Sequence, residues 1–140
     1  MSAEFFIDTN VFIYHLDTTD RRKHKIAEKI VREALATGNA CISSQVVQEC
    51  LIVALRKSQV ALSPEAARSY LDAVLAPLLQ VGANEALYHR AIDVKARWGF
   101  GFYDSLIVAG ALIAGCRKLL TEDLQHGQSL GELTVIDPFR

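Results

Sequence analysis

The sequence predicts an α/β fold with a mostly parallel sheet of five strands. Short apolar runs alternate along the chain with longer segments whose apolar residues recur at helical spacing, which is typical of a sheet connected by crossover helices. Capping residues, prolines and glycines separate these segments. The chain has 140 residues, of which 51% are hydrophobic and 22% charged. We therefore expect residues 1–140 to form one domain with a substantial core.

The first elements are marked by strong local signals. Phe5–Ile7 is an apolar run that predicts a buried opening strand. A short helix is predicted over Val11–Leu16. Asp20 is a suitable N-cap for a helix from Arg21 to about Ala36, whose apolar residues share one face. Gly38 is expected to end that helix, because glycine adopts the left-handed conformation common after a helix.

The next elements repeat this order. Ala40–Ile42 predicts a second strand, and Ser43 or Ser44 can cap a helix from Gln45 to about Lys57. A further helix, from Pro64 to about Leu75, is indicated by a serine directly before a proline, which is favoured at the first helical position.

The second half of the chain predicts three more strands and two more helices. Leu78–Val81 is a possible third strand, and Asn84–Trp98 is predicted to be helical. A loop with two glycines leads into an apolar helix from Tyr103 to about Gly115. The remaining strands are expected at Lys118–Leu120 and Thr134–Ile136.

The net charge of −1 excludes a uniformly basic nucleic-acid binder, although it leaves room for a local basic face. The predicted helix after Asp20 holds six of the 15 basic residues. Such a run is often only a solvated helix face, and the alternative is contact with an RNA backbone. The candidate backbone contacts lie opposite the apolar stripe: Arg21, Arg22, Lys25, Lys29 and Arg32.

Four aromatic residues precede Asp104 within six positions. Core packing is the ordinary role of such a cluster, and one ring could instead stack on a base. These residues are Trp98, Phe100, Phe102 and Tyr103.

The three cysteines have no C-x-x-C spacing and are expected to be buried and reduced, which favours the cytoplasm. The first residues show no signal-peptide pattern. The longest apolar stretch, Ser105–Cys116, is too short to cross a bilayer, so no membrane association is expected.

Four acidic residues are the strongest candidates for a functional site. Asp8 and Asp123 follow predicted strands, while Glu49 and Asp104 lie early in predicted helices. In parallel sheets, ligands bind beyond the carboxyl ends of the strands. Several carboxylates cannot share a pocket in ionised form without a compensating cation, and Mg²⁺ or Mn²⁺ prefers such oxygen ligands. The pattern therefore indicates metal-assisted hydrolysis of a phosphodiester.

The segments around these acids resemble the motifs of the PIN domain, and the chain looks most like the VapC-type toxins of type II toxin–antitoxin modules. The resemblance covers essentially the whole chain and rests on Phe6–Val11, Gln48–Glu49, Phe102–Ile107 and Leu120–Gln125. It implies an α/β/α sandwich and an endoribonuclease that depends on Mg²⁺ or Mn²⁺. It also implies a homodimer and a small antitoxin that blocks the acidic pocket.

The resemblance also implies roles for individual residues. Asp8 and Asp104 would be the nearest metal ligands, and Glu49 and Asp123 would bind a second metal or act through water. Asn10 and Thr121 match polar positions that hold the acids by hydrogen bonds. Glu122 could compete with its neighbour Asp123, which the family pattern favours. Whether one or two metals bind, and which RNA is cut, stays open.

Two other functions are compatible with the sequence. An aspartyl phosphatase or a phosphoacceptor receiver domain also places an Asp after the first strand. A phosphatase would need a second acid where this chain has Asn10, and a receiver would need an acceptor Asp after a middle strand. A non-catalytic PIN-like module that binds RNA is the other alternative, although its usual signature, a lost acid, is absent from the four positions.

Overall fold

The computed structural model describes residues 3–56 and 61–140. Within these ranges the chain forms a sheet with helices on both faces. The predicted end of the third helix, at Lys57, lies outside the described residues.

Six of the described helices follow the predicted order with small shifts at their ends, and one short helix, Ala76–Leu78, was not predicted and includes Leu78, where the third strand was expected to begin. The described helices are α1 Thr9–Leu16, α2 Arg21–Thr37, α3 Ser44–Leu55, α4 Pro64–Tyr70, α5 Ala76–Leu78, α6 Glu85–Trp98 and α7 Phe102–Ile113. A π-helical segment, Leu71–Leu75, joins α4 to α5. The strands are β1 Phe5–Ile7, β2 Ala40–Ser43, β3 Leu79–Val81, β4 Lys118–Leu120, β5 Ser129–Leu130 and β6 Leu133–Ile136.

The sheet has the strand order β3-β2-β1-β4-β6-β5. The first five strands in this order pair in parallel, and only β5 is antiparallel to its neighbour β6. The prediction of five strands was therefore one short. The extra strand, β5, has two residues and turns into β6 at Gly131, whose φ of 68° suits glycine. A run of two residues is too short to show the alternation that predicts a strand.

Successive side chains of β1 point to opposite faces of the sheet, and helices pack against both faces. On one face, a Cβ at Gly110 of α7 would lie 3.5 Å from the Phe6 ring, so glycine allows this helix to approach the sheet closely. On the other face, Ile7 lines a cavity together with Ile30 and Ala34 of α2. The expected three-layer α/β/α arrangement is confirmed.

The caps explain where the helices begin and end. Asp20 accepts a hydrogen bond from the Lys23 amide at 3.0 Å, and Gly38 adopts a φ of 69° after α2, as predicted. Ser43 occupies the N-cap position of α3, but its hydroxyl makes no capping bond. Instead, Ser44 donates to the carbonyl of Val81 at 3.2 Å and ties the start of α3 to β3.

The expected burial of the cysteines is confirmed, since all three are buried, and none of them forms a disulfide. Within the ranges that the structure describes, no helix is both long and apolar enough to span a membrane.

The strand order creates a crevice at the centre of the sheet. In the sheet, β2 and β3 lie on one side of β1, and β4 and β6, which come later in the chain, lie on its other side. Crossover connections therefore leave the carboxyl ends of β1 and β4 in opposite directions, which leaves a space between them. The residues that follow these two strands face this space.

Candidate metal centre

One pocket of about 290 Å³ collects the four predicted acids. Asp8 follows β1 directly and caps α1, while Asp123 lies three residues beyond β4. Asp104 lies in the first turn of α7. Glu49 lies in the second turn of α3, because that helix begins at Ser44. Acids separated by up to 115 positions are thus neighbours only in the folded chain.

Asp8 is buried at the base of this pocket, with 5% of its surface exposed. The Thr9 amide donates to Oδ1 at 2.7 Å, and the Thr121 hydroxyl donates to Oδ2 at 2.8 Å. Burial raises the pKa of Asp8 from 3.8 to about 7, against the lowering effect of these two hydrogen bonds, and the charges of Asp123 and Glu49 raise it further. The ionised form of Asp8 is therefore costly unless a cation is near.

A threonine and an asparagine connect the two strand-end acids. Thr121 donates to Asp8 and accepts from the backbone amide of Asp123 at 3.0 Å. Asn10 donates through Nδ2 to Thr121 Oγ1 and to Asp123 Oδ2, both at 3.2 Å. The hydrogen-bonding capacity of the Thr121 hydroxyl is thus filled, which holds Asp8 and the backbone at Asp123 in a defined arrangement.

The other acids are less buried than Asp8. Glu49 and Asp104 are half-buried, and Asp123 is exposed. The pKa of Asp104 is raised, chiefly by burial and then by the charges of Asp123 and Glu49. The acids thus extend from the protein interior to an open rim that solvent can reach.

Two residues that support Glu49 were not predicted. The Thr9 hydroxyl donates to Glu49 Oε1 at 2.7 Å. Gln45 reaches Glu49 Oε2 at 3.5 Å and donates to the Tyr103 carbonyl at 3.1 Å. The spacing of Gln45, four residues before Glu49 on one helix face, was the available signal. For Thr9 no sequence signal exists, because its partner lies 40 positions away.

Glu122 is held away from the pocket. Tyr14 donates to its Oε1 at 2.6 Å, and the Lys23 ammonium contacts its Oε2 at 3.0 Å. Both carboxylate oxygens of Glu122 therefore have partners on α1 and α2. Asp123 lines the pocket, and Glu122 is not among its lining residues.

The predicted basic face of α2 is divided between internal contacts and exposed cations. Arg22 donates to the Phe139 carbonyl at 2.6 Å, and Arg32 pairs with Glu28 at 3.0 Å. The exposed remainder consists of Arg21, Lys25 and Lys29. The structure thus assigns two of the five candidates at least partly to contacts within the domain.

The residues of the pocket fit a hard divalent cation. All four acids offer oxygen ligands, and Asn10 Oδ1 is buried without a hydrogen-bond partner among the described residues. Within the described ranges, no three Asp, Glu, His or Cys side chains converge tightly enough to enclose an ion alone. Mg²⁺ suits such an open set, because it keeps several waters and uses one or two carboxylates.

We expect Thr121→Val to lower the free energy of unfolding by roughly 1–3 kcal/mol, because buried acceptors and donors lose their partner. Urea denaturation at neutral pH measures this effect. Thr134→Val on β6 is the matched control, since Thr134 is a half-buried threonine outside the pocket. Equal midpoints for both variants would contradict a structural role for the Thr121 hydroxyl.

Comparison with known families gives a match over most of the chain. The family model of the PIN domain matches residues 5–128. No curated protein sequence matches the chain significantly.

Several solved structures share the fold at low sequence identity. The DNA-bound VapBC from Salmonella typhimurium is 21% identical, with a TM-score of 0.67 and 97% of this chain and 98% of that chain covered. VapBC2 from Rickettsia felis, bound to a promoter DNA fragment, is 18% identical with a TM-score of 0.65 and coverage of 94% and 96%. The sarcin–ricin-loop-cleaving toxin VapC20 from Mycobacterium tuberculosis is 18% identical, with a TM-score of 0.59 and coverage of 82% and 86%.

Proposed function

The chain belongs to the PIN-domain family, and on that premise we propose that it is a metal-dependent endoribonuclease and the toxin of a type II toxin–antitoxin module. The observation that carries the proposal is the pocket in which Asp8, Glu49, Asp104 and Asp123 meet. One structural neighbour described as a toxin–antitoxin complex from Klebsiella pneumoniae and the two described as VapBC support the toxin role. The neighbour described as a toxin that cleaves the sarcin–ricin loop supports RNA as the substrate.

Mg²⁺ or Mn²⁺ is the proposed cofactor. Asp8 and Asp104 are the proposed nearest ligands, because burial raises the pKa of both and each therefore gains most from a nearby cation. Glu49 and Asp123 are proposed to hold a second ion or to act through water. When bound, the metal would lower the pKa of an attacking water and stabilise charge on the phosphate.

The protein's own residues provide the orientation of this site. Thr9 and Thr121 occupy one oxygen each of Asp8, so its carboxylate is held in place before a substrate arrives. Asn10, which lies on α1, donates a hydrogen bond to Asp123 Oδ2 and so fixes its position. Outer partners of this kind typically affect metal affinity or activity by roughly 10- to 100-fold. Asn10 and Thr121 are therefore proposed as positioning residues.

The proposed partners are an RNA substrate, a second copy of the chain in a homodimer, and a small antitoxin that covers the pocket, all in the cytoplasm. The exposed cations of α2, Arg21, Lys25 and Lys29, are proposed to contact the RNA backbone, with Arg22 and Arg32 contributing less because of their internal contacts. Backbone contacts would make RNA binding depend on salt and would carry no sequence information.

The roles of the two adjacent acids after β4 can be separated by neutral substitutions. We expect Asp123→Asn to lower the cleavage rate by at least about tenfold, because it alters the pocket. Glu122→Gln is expected to keep cleavage within about threefold of the wild-type rate, since Glu122 faces Tyr14 and Lys23. Initial rates on one RNA substrate with Mg²⁺ measure both. A larger loss for Glu122→Gln than for Asp123→Asn would reverse the assignment.

The direct test of the proposed function is to map RNA 5′ ends after the chain is induced in cells. New ends that appear with the wild type and not with Asp8→Asn would support the endoribonuclease. The purified chain should then cut the same RNA with Mg²⁺ and stop when EDTA is added. RNA binding by the folded chain without metal-dependent cleavage would favour the non-catalytic module.

A further inference from the structure

The four aromatic residues before Asp104 fall into two pairs. Trp98 and Phe100 are half-buried and pack against the core. Phe102 and Tyr103 are exposed, with 41% and 71% of their surface accessible. Core packing therefore accounts for the first pair, whereas most of Tyr103 and part of Phe102 remain open to solvent.

The backbone of the exposed pair adjoins the rim of the acidic pocket, although neither ring lines it. Tyr103 directly precedes Asp104, which lines that pocket. Gln45, another lining residue, donates to the Tyr103 carbonyl at 3.1 Å and reaches Glu49 Oε2 at 3.5 Å. The backbone of Tyr103 is thus fixed to the side chains that hold the acids, while its ring extends into solvent.

The space around Gly101, which directly precedes Phe102, is open. Helix α7 begins at Phe102, and its N-cap residue Gly101 makes no side-chain capping bond. Beyond its chain neighbours, no described atom lies within 4 Å of the position that a Cβ on Gly101 would take. The start of α7 is therefore not covered by another described part of the chain, in keeping with the exposure of Phe102 and Tyr103.

Charge limits what can bind at this rim. Without a bound cation, the four carboxylates of the pocket repel phosphate groups, so the protein's own charges do not attract RNA to this rim. Lys23 on α2 is already paired with Glu122, the neighbour of Asp123. A neutral contact with a large flat surface avoids this repulsion. Stacking of a base on an aromatic ring is such a contact and is tolerant of sequence.

We propose that the exposed rings of Phe102 and Tyr103 form a stacking platform for unpaired RNA bases beside the phosphate that the acidic pocket receives. This inference rests on the proposed function and specifies its substrate as a single-stranded or looped segment. Base faces in a duplex are covered by their neighbours, whereas unpaired bases can be splayed onto aromatic rings.

The test measures RNA binding separately from cleavage. Every chain carries Asp8→Asn, so that the RNA stays intact, and the buffer contains Mg²⁺, so that the cation proposed for the pocket is available. The probes are a fluorescein-labelled single-stranded RNA of about ten nucleotides and the same strand in a perfect duplex. Fluorescence anisotropy gives the Kd, and circular dichroism confirms that each variant is folded.

We expect Tyr103→Ala to weaken single-strand binding roughly 5- to 150-fold, the range for the loss of one aromatic–base stack. Tyr103→Phe keeps the ring and should stay within about twofold of the parent Kd. Tyr88→Ala is the matched control, because Tyr88 is an exposed tyrosine on α6, with 44% of its surface accessible. Its neighbour Leu87 lines a cavity together with Ile113, which lies at the opposite end of α7 from Asp104. Phe102→Leu provides a second, independent loss of a ring.

An abasic scan makes the test specific for stacking. An abasic nucleotide at the stacked position should weaken binding to the parent chain and have little further effect on Tyr103→Ala, because both changes remove the same contact. Independent, additive losses would overturn the proposal.

Other outcomes separate this inference from the proposed function. Unchanged single-strand binding by both Tyr103→Ala and Phe102→Leu, or preferential binding of the duplex, overturns the platform even if the wild type cleaves RNA with Mg²⁺. A shift of the monomer–dimer equilibrium without a change in RNA binding would instead assign these rings to a protein interface. Absence of Mg²⁺-dependent cleavage by the wild type is the result that counts against the nuclease itself.

Discussion

Replacing Asp8 or Asp104 by asparagine is expected to abolish RNA cleavage and leave the fold intact. Each substitution keeps the side-chain size and removes one of the negative charges proposed to hold the metal. Mutations of outer partners of metal ligands cost roughly 10- to 100-fold, so loss of a direct ligand should exceed about 100-fold. Initial rates with purified chains, Mg²⁺ and one RNA substrate measure the loss.

Asp93→Asn is the matched control for this experiment. Asp93 is an exposed acid on α6 and does not line the acidic pocket, so its variant should cleave at the wild-type rate. Thermal unfolding and circular dichroism establish that each variant is folded. Wild-type rates for folded Asp8→Asn and Asp104→Asn would remove the basis for a metal centre at these carboxylates.

The second large effect concerns stability and its dependence on pH. In the absence of divalent metal, burial raises the pKa of Asp8 from 3.8 to about 7. The folded state therefore favours the protonated form more than the unfolded state does. The stability that this group contributes is fully present below pH 3.8 and is lost as the pH rises to about 7, after which it stays constant.

Asp8→Asn removes this titration, so the variant should gain stability relative to the wild type as the pH rises. Between pH 5 and pH 8 the relative gain is expected to be roughly 2–3 kcal/mol. Urea denaturation of both chains in EDTA at several pH values gives the difference and cancels the titrations that they share. Parallel stability curves across this range would contradict the raised pKa.

Metal addition provides the complementary measurement. At pH 8, MgCl₂ should raise the Tm of the wild type, because ligands that bind only the folded state stabilise it. The Tm of Asp8→Asn should respond much less, since one proposed ligand is neutral. An equal response of both chains would place Mg²⁺ binding elsewhere on the protein.

The elements of the fold were largely predictable because each has a local signal. Asp20 and Gly38 mark the ends of α2, and the apolar run Phe5–Ile7 marks β1. The elements that escaped prediction lack such a signal. The strand β5 is too short to show a pattern, and the π-helical segment Leu71–Leu75 continues the periodicity of α4 without a distinct marker.

The candidate site was predictable in its chemistry and less so in its contacts. The four acids were identified from their places after strands and early in helices. Thr9 and Gln45, which hold Glu49, were not identified, because a threonine at a helix start or a glutamine on a helix is ordinary in sequence. Of the aromatic cluster, only the fold separates the core pair from the exposed pair.

The sequence by itself identified the candidate metal ligands, because carboxylates at strand ends and in early helical turns can be recognised from the sequence pattern alone. Only the tertiary structure decided how they meet. The strand order places β4 beside β1, so Thr121 can bond to Asp8 across 113 positions. Glu122 contacts Tyr14 and Lys23 outside the pocket, whereas Asp123 lines the pocket. Burial is likewise a property of the packed chain, and it is burial that makes Asp8 costly to ionise without a cation.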